Sequence, residues 1–490
     1  MTQPLSPTWQ LPTGQSRRRL PSWRREALRT NLWLVPTLLV VAIILLFAAT
    51  YGLDRAVARG DLTLPSWIRK ESADSARQIL IAIAAAVITV VGVVFSITIL
   101  ALTLASQQFG PRMLRNFIRD AGTQITLGAF VATFTYAVLV LGSITNDNGS
   151  GFVPNISITA ALALLFVDIV VLIYFIHHVA KSIQLNEVIA GIALDLARSI
   201  DTEIPAGAST PPAGPGASPS VLELHAHLDK EGIGVPATTT GYLQFVGYSE
   251  LVKIAASSDA VIRLVHQPGH FVVAGHPLAI VWPPNAAPDV ATALDRAHIT
   301  GPHRTLNQDP VFAIDQLVEI AIRALSPAVN DTFTALSCVD WLCDGLCRLS
   351  GRLLAEGIAV DRDGRVRLID AGPRYHRFVN RSFDKIRQAG RGMPAVAIRL
   401  EQALARIMEY TITTEEREVL LRQAEIIARS SDDSIPDEPD RADVQVAYER
   451  VVAAAARLSG TGEQQPPATA ARYPSGRTNR PAGRRSGGTP

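Results

Sequence analysis

Four stretches of this chain are long and apolar enough to cross a lipid bilayer, and no other feature restricts its fold as strongly. The hydrocarbon core of a bilayer takes about 20 consecutive apolar residues as a helix. Lipid offers the backbone no hydrogen-bond partner, so such a segment has to satisfy its own N–H and C=O groups. The stretches are Leu32 to Tyr51, Ile79 to Ala105, Ile125 to Ile144 and Ile156 to Ile176, and none contains Lys or Arg. The first follows a basic stretch (Arg17 to Arg19, then Arg24 and Arg25). Its apolar run exceeds that of a typical signal peptide and no small-x-small cleavage site follows, so it reads as an anchor. The 48% hydrophobic content is concentrated between Leu32 and His178. The remaining chain has the composition of a soluble protein, and 490 residues leave room for two or three domains.

Basic residues near the helix ends set the expected orientation. The N-terminal segment is basic, the loop between the second and third helices holds Arg112, Arg115 and Arg119, and Lys181 follows the fourth. The loop from Thr145 to Asn155 has neither Lys nor Arg. Both termini are therefore expected in the cytoplasm of a bacterial cell, with the chain a multi-pass protein of the inner (plasma) membrane. The first outer loop dissents, since it contains Arg55, Arg59, Arg69, Lys70 and Arg77.

Within the second helix, Thr89, Gly92, Ser96, Thr103 and Gln107 fall in a band about 60° wide at 100° per residue. Such a stripe serves close helix packing or the lining of a pore formed by several copies. Asp168 lies near the middle of the fourth helix, where a carboxylate is costly. It is a candidate proton or cation site, or else a protonated packing residue. His177 and His178 sit at the inner interface; neighbours on a helix point about 100° apart and rarely chelate one ion.

The expected organisation is a basic cytoplasmic segment (1–30), a four-helix transmembrane domain (31–178) and a helix extending from the last span (179–205). A flexible linker (206–220), a small β unit (221–290), a helical cytoplasmic domain (291–459) and a disordered basic tail (460–490) complete it. The segment VIRLVHQPGHFVVAGHPLAIV looks like the barrel-sandwich half-motif of biotinyl and lipoyl carrier domains, but no Lys stands on its turns. The expected fold class is thus an α-helical membrane region followed by an α+β domain with a barrel-sandwich-like unit and a helical C-terminal part. His266, His270 and His276 surround these turns, as solvated turn residues or a metal- or pH-sensing cluster. Ser326, Pro327, Asn330 and Asp331 form a polar break between two apolar helices and read as a capping device or a ligand site. Asp363-Gly364 signals a hairpin.

A net charge of +2 exerts no pull toward nucleic acid. Cys338, Cys343 and Cys347 share one helix face and read as core residues rather than metal ligands. No Walker loop, dinucleotide fingerprint, zinc-protease helix or nucleophile elbow occurs, so neither an enzyme nor a cofactor is expected.

Four segments carry a resemblance: Phe95 to Asp120, Leu172 to Gln184, PGHFVVAGHPLAIV, and Arg304 to Leu336. Together they resemble a bacterial family of predicted membrane proteins, domain of unknown function 2254, from about Asn31 to about Leu458. The resemblance implies N-terminal membrane helices and a cytoplasmic domain, and brings no activity. As a shared site it points to Ser106, Gln107, Phe109, Pro111 and Arg112, to His177 and His178, and to Asp309, Asn330 and Asp331. The family more usually has an uncharged residue near Asp168.

Two functional expectations follow. One is a channel-like or transport-related homo-oligomer whose second helix lines an axial path, regulated or assembled by the cytoplasmic domain. The other is a non-transporting membrane scaffold or sensor whose cytoplasmic domain binds a protein or small ligand. Lipid is a partner in both.

Overall fold

A computed structural model of the chain describes residues 9–10, 34–63, 68, 71–109, 120–145, 152–182, 184–204, 221–352, 357–370, 372 and 374–460. The segments expected as the basic N-terminus (apart from 9–10), the flexible linker at 206–220, and the tail from 461 lie outside the described residues, as do Pro111 and Arg112. The chain divides into two compact units, residues 16–188 and residues 1–15 with 189–490.

The first unit contains the four expected spans: α1 (Leu34–Arg59), α2 (Ala73–Phe109), α3 (Ala121–Ser143) and α4 (Asn155–Ser182). The protein is a multi-pass membrane protein. At 1.5 Å per residue α2 is about 55 Å long, well beyond the roughly 30 Å hydrocarbon thickness. Helix α3 is the most enclosed of the four. Its Phe130, Tyr136 and Val140 pack with Leu80, Val87 and Phe175 from the neighbouring helices. Gly128 permits the approach of α1, since a Cβ there would lie 3.0 Å from the Pro36 Cα. The outer faces carry Leu45, Ile81, Phe95, Phe166, Val170 and Ile173 exposed, as helices bathed in lipid require.

Polar ties close this bundle. Asp54 of α1 is buried and accepts from the Ile156 and Ser157 amides (2.8 and 2.9 Å) and the Ser157 hydroxyl (2.7 Å). A residue of one span thus satisfies the orphan donors at the start of another. Asp120 caps α3 through the Thr123 amide and hydroxyl, and its carboxylate lies 2.8 Å from His178 Nε2.

Helix α4 does not run on as expected. The Ser182 hydroxyl donates back to the His178 carbonyl, and the Gln184 carbonyl accepts from the Glu187 and Val188 amides, which begins a new helix, α5 (Leu185–Glu203).

The second unit continues with α6 (Val221–Glu231), β2 (Ile233–Pro236), β3 (Gly241–Val246), α7 (Tyr248–Ser257), β4 (Val261–Leu264), β5 (Phe271–Val272) and β6 (Pro277–Trp282). Then come α8 (Ala287–Ala297), β7 (His298–Gly301), α9 (Pro310–Ala324), α10 (Thr332–Leu349), β8 (Gly357–Val360) and β9 (Val366–Asp370). Helices α11 (Tyr375–Ala389), α12 (Pro394–Met408), α13 (Thr414–Ser434) and α14 (Glu438–Gly460) end the described chain. The strands form two open sheets in place of a barrel-sandwich. One is six-stranded, in the order β1-β8-β9-β4-β6-β2, with β1 at Trp9–Gln10. The other is three-stranded, β5-β3-β7. The physical reason lies in pairing from outside the expected unit. Strand β9 pairs in parallel with β4, aligning Ile262 with Leu368, and β7 takes the edge of β3. Leu243, Ile262, Val281, Val290 and Leu368 share one core, which ties the β8–β9 hairpin to the earlier strands.

Helices α9 to α14 pack mainly on one another. Cys338, Cys343 and Cys347 are buried on α10 as core residues.

Candidate ligand cleft

The second unit holds a cleft of about 860 Å³. One wall is the turn between β4 and β5, with His266, Gly269, His270 and Phe271. The floor includes Arg304 and the N-terminus of α9 at Asp309 and Val311. The other wall is α11 and the residue before it, which supply Arg374, Arg377, Arg381 and Lys385.

The turn is built by Pro268-Gly269. Gly269 has φ +89°, and a Cβ there would run into the Asp309 carboxyl group. Its amide donates to the Leu243 carbonyl at 2.7 Å, which holds the turn over β3. Only glycine meets both demands without strain.

The floor is an ionic network. Arg304 is bidentate on Asp309 (2.8 and 2.9 Å) and reaches Asp315 with its third nitrogen at 2.5 Å. Arg381 holds both Asp315 oxygens from the other side. Asp309 also caps α9 by accepting from the Phe312 amide at 3.2 Å. The Arg304 guanidinium lies 5.2 Å from the Phe312 ring centre. Asp309 and Asp315 are both buried. Burial pushes the Asp309 carboxyl up to about 6, with the Arg304 charge pulling the other way. Asp315 raises the Arg381 guanidinium further above its ordinary value.

Burial drives His270 down to about 4, helped by the charges of Arg377, His266 and Arg304, so its ring is neutral at pH 7. Its Nδ1 lies 3.3 Å from the Gln267 amide. An amide N–H can only donate, so Nδ1 accepts and the ring proton belongs on Nε2. Among the described residues no grouping of three or more His, Cys, Asp or Glu is placed to hold a metal ion.

Within the second unit, the described residues singled out from sequence do not converge. Asp309 lies in the cleft, but Asn330 and Asp331 lie beyond the opposite end of α9, a helix of 15 residues and about 22 Å. There Asp331 caps α10 through the Thr334 amide (3.1 Å) and hydroxyl (2.6 Å), Asn330 takes φ +49°, and the Ser326 carbonyl accepts from the Asn330 amide. The Ser326-Pro327-Asn330-Asp331 break is thus arranged as a cap. His178 is engaged by Asp120, while His177 is exposed. Asp168 is buried in the membrane unit beside Thr133, with one carboxyl oxygen unpartnered.

Thr89, Gly92, Ser96 and Thr103 are exposed on the outer face of α2, opposite the buried Ile83, Val87 and Val94. The three hydroxyls donate to carbonyls one turn back on their own helix, at 2.7 to 2.9 Å. Among the described residues of this unit, the stripe from Thr89 to Thr103 faces away from the other helices. Ser106, Gln107 and Phe109 lie on the last turns of α2, where only the backbone is described.

Sequence reasoning passed over the cleft's main parts, namely Asp315, Arg377, Arg381 and Lys385. The available signal was the spacing of residues 374, 377, 381 and 385, which sets four cations on one face of a helix whose other face holds Val379, Phe383 and Ile386.

Residues 29–406 match the family described as "Predicted membrane protein (DUF2254)". Uncharacterized protein Rv1290c of Mycobacterium tuberculosis and Uncharacterized protein Mb1321c of Mycobacterium bovis are each 33% identical over 413 residues, covering 82% of this chain and 75% of the relative. No solved structure matches.

Proposed function

Because this chain belongs to the DUF2254 family of predicted membrane proteins, for which no activity is indicated, we propose a function from its own geometry: it is a membrane-anchored sensor whose extramembrane unit binds a small ligand in the cleft between the β4–β5 turn and α11. The observation that carries this reading is the cleft itself. Its volume of about 860 Å³ lies within the roughly 300–1,000 Å³ of small-molecule sites. Its floor is held rigid by a buried ion network, which is the support a binding site needs. Basic residues flanking the spans support a cytoplasmic location for both termini and for the cleft. The test is native mass spectrometry of the detergent-purified full-length chain after exposure to a cellular small-molecule extract. A retained small molecule that Val311→Trp, which fills the cleft, no longer retains is the expected result. Retention unaffected by Val311→Trp, or none at all, refutes it.

The outward stripe on α2 favours a second reading, a channel-like or transport-related oligomer. Small residues with internally satisfied hydroxyls let helices of neighbouring copies approach, or line a path between them. Ser96→Leu with Thr103→Leu then abolishes ion flux in proteoliposomes; unchanged flux removes the pore. Light scattering with the detergent mass subtracted separates the readings further, since a monomer cannot place α2 around an axis.

A further inference from the structure

We infer that the cleft takes a small ligand bearing a phosphate or pyrophosphate group, held by Arg374, Arg377 and Lys385 along one face of α11; this rests on the reading of the cleft as a ligand site.

The acids of the floor are already committed. Asp309 and Asp315 are shared between Arg304 and Arg381, two carboxylates against two guanidinium groups. Asp384, the remaining acid of the cleft, accepts from the Gln423 amide at 3.0 Å and lies 3.7 Å from Arg387. Arg374, Arg377 and Lys385 carry no ion pair among the described residues. Arg374 and Arg377 stand three residues apart at the start of α11, and Lys385 lies about two turns further along the same face, so like charges line that face without a counter-ion. The charge of Arg377 is also part of what drives His270 neutral across the cleft. A bound anion relieves this repulsion.

The number and kind of cations select the anion. A single carboxylate would leave most of this charge unmatched. Phosphate carries up to two charges on three oxygens, and the planar guanidinium fork binds it in a bidentate manner. Opposite stands His270, whose neutral ring keeps one N–H to donate, adding a hydrogen bond without adding charge. Phe271, 52% exposed beside it, offers a ring for stacking of a flat group on the same ligand. Phosphate of this kind comes either on a soluble phosphate ester or on a lipid headgroup.

The experiment is titration calorimetry on the detergent-purified full-length chain with pyrophosphate, adenosine triphosphate and adenosine. In parallel, cosedimentation measures binding to neutral phosphatidylcholine vesicles with and without phosphatidic acid. Binding of pyrophosphate or adenosine triphosphate is expected, with Arg377→Gln and Lys385→Gln each weakening it roughly tenfold or more. Arg377→Lys and Lys385→Arg should recover part of the loss, which separates charge from folding damage. Binding seen only with phosphatidic acid, and lost in the same variants, assigns the phosphate to a lipid. Equal binding by the Gln variants, or no binding of any phosphate-bearing probe, overturns the inference. Adenosine binding without phosphate dependence, abolished by Val311→Trp, overturns it while leaving the cleft as a ligand site. Silence from every probe together with no small molecule retained in the native spectrum overturns both.

Discussion

Two buried acids behave in opposite ways, and the difference is whether a partner is supplied. Asp315 is held by two arginines. Replacing it with alanine leaves Arg304 and Arg381 facing each other without their shared counter-ion. Removing one side of a buried ionic group costs about 3–5 kcal/mol, so Asp315→Ala should lower the thermal midpoint of the purified chain markedly; a midpoint within error of the parent would show that the floor is not braced by this network. Glu401 on α12 is fully buried with both carboxyl oxygens unpartnered, and burial pushes it up from 4.5 to about 9. The folded state therefore binds more protons than the unfolded state between those values. Stability from this group is complete below pH 4.5 and falls as pH rises toward 9. At pH 7 this amounts to about 3 kcal/mol of lost stability. Glu401→Met, of similar shape and no charge, should stabilise the protein at pH 8 and flatten its decline between pH 5 and 9. A steeper decline would contradict the assignment of an unpartnered acid.

At the scale of elements, the spans were legible because a bilayer demands a long apolar run that no loop can imitate. Their ends were less so, since they depend on individual polar contacts. The capping of α4 by Asp54 joins residues about a hundred positions apart, and nothing local to either marks it. Asp54→Ala removes the acceptor of three hydrogen bonds and should cost about 1–2 kcal/mol, read as a lower midpoint in detergent, with Asp54→Asn recovering part of it. The turn at Pro268-Gly269 and the hairpin at Asp363-Gly364 were also readable, since both need a positive φ that glycine supplies. The pairing of β9 with β4 was not. Parallel pairing across more than a hundred residues leaves no periodic trace, and the similarity of 261–281 to a barrel-sandwich motif pointed to the wrong partner strands.

For the whole molecule, the cleft escaped sequence reading for the same reason. It draws on residues 266–271, 304–311 and 374–385, three segments that share no motif. Asp309 was singled out as part of a motif with Asn330 and Asp331, from which the length of α9 separates it. His266 and His270, readable in the sequence as turn residues, line the cleft opposite the cationic face of α11. We propose that an anionic ligand sits between these walls. Amide hydrogen exchange on the full-length chain, with and without pyrophosphate, tests it most directly. Slowed exchange in the peptides covering residues 265–271 and 374–389, absent in Lys385→Gln, is the predicted result. Unchanged exchange there, or protection confined to other segments, would contradict it.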